Sequence, residues 1–473
     1  MLRRISLILV LTFSVSVGYS YFFQHEETVT IPTEDILSEI NVDNIYADIE
    51  QLSKQPREAG TESELEAVHY IKKQFEALGY DTKLQTFPLI VYKDPELTEL
   101  KVLGNKIPNK AFEYSEDLDV EAELVPVGKA TKQELLEIDL SGKIALVERG
   151  DIPLYEKIIN AQKKGAIAVI MYNNEGDKEL FDGFQHPSLN LPTLAISRQD
   201  GQAIMKEIEE KRLDKALIQI KGAKIEQSFS HNVIATKKPA RSTSTQEEED
   251  FPIISVGAHH DSVKLAPGAN DDASGTAVVL ELARVLANKP IEAELRFITF
   301  GAEERGLIGS YFYTKQLSES EINRSLGHFQ LDMVGSKDAG DLIMYTVNGE
   351  KNRVTDMAAN ASAFLSEALP YGKMGRSDHV PFHDIGIPSA LFIHAPVEPW
   401  YHTEADTLDK ISKEKLHEVA NIIGTSLYKL ALHPDEAKSV CYDEKRKQLV
   451  VLEKKKQKKS CIVDYPFESR ELD

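Results

Sequence analysis

Apolar positions along the chain change their period several times, and the changes mark out its parts. From 31 to 79 the pattern is helical: Leu65, Val68, Ile71, Phe75 and Leu78 recur at three- and four-residue steps and form one apolar stripe suited to packing on a sheet. Thr61 followed by Glu64 has capping-box spacing, and Gly79 ends the run. Between 103 and 228 the pattern shortens to strand-length apolar runs separated by turn signals, at 142–147, 166–170 and 191–196, with a helix predicted over 154–164. The strand-like stretch 231–236 leads into the polar run 237–250, which cannot bury much apolar surface and reads as a solvated loop. Beyond it, apolar strands at 253–258, 295–300 and 390–393, and one ending at Leu331, alternate with helical patterns such as 275–287. Such alternation predicts an α/β fold with a mostly parallel central sheet flanked by helices.

The chain therefore divides into a first part of the α/β unit at 31–102, an inserted strand-rich module at 103–228, the remainder of the unit at 229–433, and a charged tail at 434–473. A chain of 473 residues exceeds what a single core usually serves, which agrees with that division. Met1-Leu2-Arg3-Arg4, an apolar run over 5–17 and small residues at Ser16 and Gly18 form a secretory signal pattern, placed at 1–23. The run is shorter than the roughly 20 residues of a spanning helix, so export without stable membrane insertion is expected, an uncut anchor facing outside being the alternative. Against 55 Lys and Arg stand 76 Asp and Glu, a formal charge of −21 that repels phosphate backbones and argues against nucleic acid as a partner. The cysteines are Cys441 and Cys461, both in the tail, which argues against a cysteine nucleophile and leaves open a disulfide or two free thiols. The lysine run at 454–459 reads as a solvated appendage, with contact to an anionic surface as the alternative.

Acids and imidazoles recur at successive strand ends. The strand at 253–258 runs into His259-His260-Asp261-Ser262, where a histidine nitrogen suits zinc and Asp261 can hold the other ring nitrogen; a packing role is the alternative. Next, the small-residue turn 267–275 sets Asp271 beside Asp272 just before a helix. Either one caps that helix, or a carboxylate bridges two cations and so removes the repulsion between the pair. The strand at 295–300 delivers Glu303-Glu304, adjacent acids that can divide labour, one binding metal and one moving protons. Asp332 follows Leu331, and Tyr401-His402-Thr403-Glu404-Ala405-Asp406 adds a second histidine with a carboxylate four residues on. Together this is the inventory of a two-metal hydrolase with oxygen and nitrogen ligands. Two zinc ions about 3.5 to 4 Å apart would activate a water, with Glu303 taking its proton. Tyr401 would donate to the developing oxyanion or else pack as an ordinary aromatic.

These motifs resemble those of the secreted bacterial di-zinc aminopeptidases, a family that includes glutamate carboxypeptidase and the inactive ectodomain of the transferrin receptor. The likeness runs through Gly257-Ala258-His259-His260-Asp261-Ser262-Val263, 267–275, Glu303-Glu304, Asp332 and Tyr401-His402, and covers about 31–433. It implies a zinc exopeptidase fold and two Zn2+ per chain, one on His259 and Asp332, the other on Glu304 and His402, with Asp271 bridging them. It also implies Glu303 as general base, Asp261, Asp272 and Asp406 in support, and a cis peptide between Asp271 and Asp272. The insertion looks like the family's protease-associated (PA) domain, through 141–150 and 162–174. Arg376-Ser377-Asp378-His379-Val380-Pro381-Phe382 matches a familiar stretch read as structural support, His379 as a sixth ligand being the lesser alternative. The activity implied is a secreted metalloprotease acting on the amino-termini of peptides and proteins. Rival readings are a carboxypeptidase of the same family, a single-metal glutaminyl cyclase-type acyltransferase, and a non-catalytic receptor-like module that would lack ligands or the base.

Overall fold

The computed structural model describes residues 36–189, 191–240 and 251–435, and of the tail only the backbone of 440–443, 448–451 and 467–468. Residues 1–23, expected to be a signal segment, the polar run 241–250, the side chains of Cys441 and Cys461 and the lysines of 454–459 lie outside the described residues.

The amino-terminal helical region is interrupted, with helices Val42–Leu52 and Glu62–Ala77 on either side of a loop containing Pro56 and Gly60. Pro56 cannot continue an amide ladder, and Gly60 sits at φ +80°, so one continuous helix over 31–79 is excluded. Thr61 caps the second helix by accepting from the Glu64 amide, but the expected reciprocal bond is diverted. The Glu64 carboxylate is buried and accepts instead from the Gly60 amide at 2.6 Å and from the Ser230 hydroxyl.

At the centre four strands run parallel, in the order Glu294–Phe300, Ile253–His259, Ser325–Leu331 and Ser389–Ala395. Asp341–Thr346 extends this sheet antiparallel on one side, with Tyr371–Lys373 and then Phe467–Glu468 beyond it. Lys224–Lys237 and Asp81–Lys93 extend it antiparallel on the other. The parallel strands are buried on both faces, hence their near-continuous apolar sequence. Helix Ala273–Leu286 is buried at every position but Arg284, because Val42–Leu52 and Lys413–Leu432 cover the face it turns away from the sheet. Its Val278 and Leu282 share one core with Phe75, Phe297, Phe329 and Ile423. Among the described residues no helix is long and apolar enough to cross a membrane.

The insertion is a second sheet with its own core of Ile144, Leu146, Ile170, Leu194 and Ile218. Its strands include Leu97–Val102, which pairs with Lys215–Lys221 from Leu97↔Lys221 to Val102↔Ala216. Structurally the module thus begins at Leu97 and closes at Lys221, earlier at both ends than the 103–228 expected. Residues 224–228 instead pair with 89–93 in the ribbon Asp81–Lys93/Lys224–Lys237, on which the module hangs. Strand pairing over such separations leaves no local trace in sequence, which is why the boundary moved.

Candidate metal centre

Parallel strands point their carboxyl ends at one edge, and the acids and imidazoles converge there. His259 is the last residue of Ile253–His259, Glu303 follows Phe300 by one short turn, and Asp332 follows Leu331 directly. His259 Nε2 lies 3.1 Å from Asp271 Oδ1 and 3.6 Å from Asp332 Oδ1. His402 Nε2 lies 3.1 Å from the other Asp271 oxygen, Oδ2, and 3.0 Å from Glu304 Oε2. Asp271 therefore turns one oxygen to each imidazole. Two groups of ligand atoms result, His259/Glu303/Asp332 and Asp271/Glu304/His402, each gathered within 4.8 Å.

The supporting acids are satisfied by the chain itself. Asp261 accepts the amides of Glu303 at 3.1 Å and Glu304 at 3.3 Å, and its carbonyl oxygen sits 3.1 Å from His259 Nδ1, which directs Nε2 into the site. Asp272 accepts from Gly275 at 2.8 Å and Met333 at 3.1 Å on one oxygen and from the His259 amide at 3.2 Å on the other. It therefore caps helix Ala273–Leu286 and ties three site segments together. An added Cβ at Gly275 would stand 2.6 Å from both Asp272 oxygens and 2.7 Å from the Leu331 carbonyl, so the close approach requires glycine. Asp406 accepts the amides of Asn270 at 2.8 Å and Asp271 at 3.0 Å. The Asp271–Asp272 peptide is cis, as the resemblance implied.

Ser377 donates to Asp332 Oδ2 at 2.7 Å, which gives the 376–382 stretch a direct part in the site. His379 does not join either group; its Nε2 lies 2.9 Å from the Met374 carbonyl. Tyr401 is 42% exposed and its ring stacks on His402 with centroids 3.7 Å apart, so it stands at the site and not in the core. The residue that sequence reasoning missed is Arg57. Its buried guanidinium donates to the carbonyls of His260 at 2.7 Å, Leu52 at 2.9 Å and Gly268 at 2.9 Å, and also to Pro267. It thus pins the loops following His259 and preceding Asp271, although nothing in Gln55-Pro56-Arg57-Glu58-Ala59-Gly60 signals a buried cation.

The edge is crowded with negative charge. Burial above all, and then the neighbouring Asp378, Asp332 and Glu304, push the Glu303 carboxyl well above its ordinary range against the pull of His259. Glu304 is pushed up to about 7, chiefly by burial and then by Asp271. Glu304 Oε1 and Asp332 Oδ1 are buried and accept no hydrogen bond. Orphaned carboxylate oxygens in a dry site are costly, and bound cations are what would satisfy both them and the repulsion. The nitrogen and oxygen donors fit zinc.

A parallel sheet carrying this donor set at its carboxyl edge, with a strand-rich module inserted, defines the zinc exopeptidase fold. A model of peptidase family M28 matches residues 232–427, and one of the PA domain matches 119–204. Aminopeptidase YwaD of Bacillus subtilis is 36% identical over 424 residues, 86% of this chain and 89% of that protein. Among solved structures, an aminopeptidase from Aneurinibacillus sp. strain AM-1 superposes with a TM-score of 0.76 at 50% identity, covering 85% of this chain and 96% of the other. BSAP, a zinc aminopeptidase from Bacillus subtilis, superposes with a TM-score of 0.69 at 36% identity, covering 84% of this chain and 96% of that one. The chain belongs to peptidase family M28, and a PA domain is inserted in it.

Arg57→Met, which keeps the volume and removes the donors, is expected to lower the unfolding free energy by about 3 kcal/mol or more, since several buried carbonyls lose their partner. Zinc affinity should fall with it. Urea denaturation and zinc titration check both, and a variant as stable and as tight as the parent would refute the clamp.

Proposed function

We propose that the protein is a two-zinc aminopeptidase that removes amino-terminal residues from peptides and proteins. The observation that carries this reading is the division of Asp271 between His259 and His402, which sets one carboxylate oxygen against each imidazole, with Asp332 beside the first and Glu304 beside the second. The matched relatives named as aminopeptidases and the zinc aminopeptidase BSAP support the same reading. In it, His259 and Asp332 would hold one ion and Glu304 and His402 the other, with Asp271 shared between them. Zinc bound there would supply Lewis acidity for activating water and polarising the scissile carbonyl.

The chain's own residues do the rest. Glu303, beside the ligands but fixed by its amide to Asp261, accepts the proton of the attacking water and passes it to the leaving amine. Tyr401, held over His402 by ring stacking, donates its hydroxyl to the oxyanion. Asp261, Asp272 and Asp406 spend their lone pairs on backbone amides and keep the ligands in register. The segment 1–23 directs the chain out of the cell, where peptide substrates are met.

Glu303→Gln should lower kcat by about 100- to 10,000-fold, the usual reach of general base catalysis, while zinc content stays at two per chain by elemental analysis. Full turnover in that variant rejects the base. His402→Ala should keep one zinc, and Asp271→Asn should weaken both. On a panel of aminoacyl p-nitroanilides, carboxyl-blocked peptides and glutaminyl peptides, release should come from the amino end; carboxyl-terminal release or cyclisation instead would overturn the assignment.

A further inference from the structure

The turn that carries Glu303 and Glu304 is held from within by Asp261 and from outside by the next residue, Arg305. Within the turn, Gly306 and Leu307 donate to the Glu303 carbonyl at 2.8 Å each, and Ala302 and Leu307 both adopt left-handed backbone angles, φ +56° and +60°. Non-glycine residues in that region are held there by their surroundings. Arg305 Nη2 donates to Glu58 and Nη1 to Glu113, so one guanidinium grips two carboxylates from different parts of the chain. Its side chain is only 14% exposed, and those of Glu58 and Glu113 are 20% and 28% exposed.

Both anchors are themselves fixed. Glu58 adjoins Arg57, the clamp on the loops around His259 and Asp271. Glu113 belongs to the PA domain, where its amide donates to Gly183 at 2.8 Å and Tyr114 stacks edge-on against Phe184 with centroids 5.6 Å apart. A second ion pair, Lys264 with Asp94, joins the peptidase to the stem of the PA domain.

We infer that Arg305 is a positioning residue, and that the PA domain, through Glu113, fixes the turn bearing the general base and a metal ligand. The inserted domain thereby contributes to the chemical step. A planar guanidinium suits this, because its fork holds both carboxylates in one geometry, which a lysine point charge does not. The inference rests on Glu303 being the base of the proposed reaction.

The test compares Arg305→Leu, Arg305→Lys and Glu113→Gln with the parent as full-length zinc-loaded proteins, using an aminoacyl p-nitroanilide too small to span to the PA domain. Arg305→Leu should lower kcat by on the order of ten- to a hundredfold, the scale of a small misplacement of a catalytic group, with KM changed less than about twofold and both zinc ions retained. Arg305→Lys should recover part of the loss and Glu113→Gln should show part of it. Hydrogen exchange of the peptide spanning 301–308 should quicken in Arg305→Leu and Glu113→Gln, a readout that needs no turnover. Unchanged exchange, or a rise in KM at constant kcat, overturns the inference. Loosened exchange in a protein whose parent releases no amino-terminal residue would instead sink the aminopeptidase reading while leaving the seam's hold on the turn established.

Discussion

Everything at this edge of the sheet answers to one constraint: more buried and half-buried carboxylates gather there than the chain has cations to balance. Asp261, Asp271, Asp272, Glu303, Glu304, Asp332, Asp378 and Asp406 crowd the ends of the parallel strands, with Arg57 as the permanent positive charge among them. The chain meets the constraint with backbone amides. Asp272 takes three, Asp261 two and Asp406 two, so each negative charge is spread over fixed dipoles that cost nothing further to orient. What the amides do not reach is informative in itself. Glu304 Oε1 and Asp332 Oδ1 have no donor, and both belong to the groups gathered around His259 and His402. Hydrogen bonding thus sorts acids of the same chemical type into those that build the site and those left open to a cation.

Much of that site was legible in the sequence because each part of it is local. A strand followed at once by His259, Glu303-Glu304 or Asp332 delivers those side chains to the same edge whenever the strands run parallel, and the alternating pattern indicated that they would. Asp271 and Asp272 were open to either a bridging or a capping role; Asp272 caps the helix, while Asp271 faces both imidazoles, the placement that the proposed bridging role requires. What stayed hidden depends on pairing across long separations. Arg57 acts on residues more than 200 positions away, the Ser377 bond to Asp332 joins separate loops, and the Leu97–Val102 strand pairs with residues past 214. The same holds for Glu64, whose capping-box spacing was correct while its carboxylate found Ser230 instead.

The PA domain raises a different question, since it packs around a core of its own. A module that hangs on a two-stranded ribbon is free to move unless something ties it down. Of the two ion pairs named across the seam, Lys264 with Asp94 has side chains 46% and 60% exposed, and such pairs contribute on the order of a few tenths of a kcal/mol to about 1 kcal/mol. Arg305 differs in being largely shielded from water, in gripping two carboxylates at once, and in standing next to Glu304, one of the clustered donors. Removing one member of such a shielded group leaves the others desolvated and unpaired, which costs far more than the loss of a surface contact. The physical weight of the seam therefore falls where an error of position would be felt most, at the turn that presents Glu303 and Glu304.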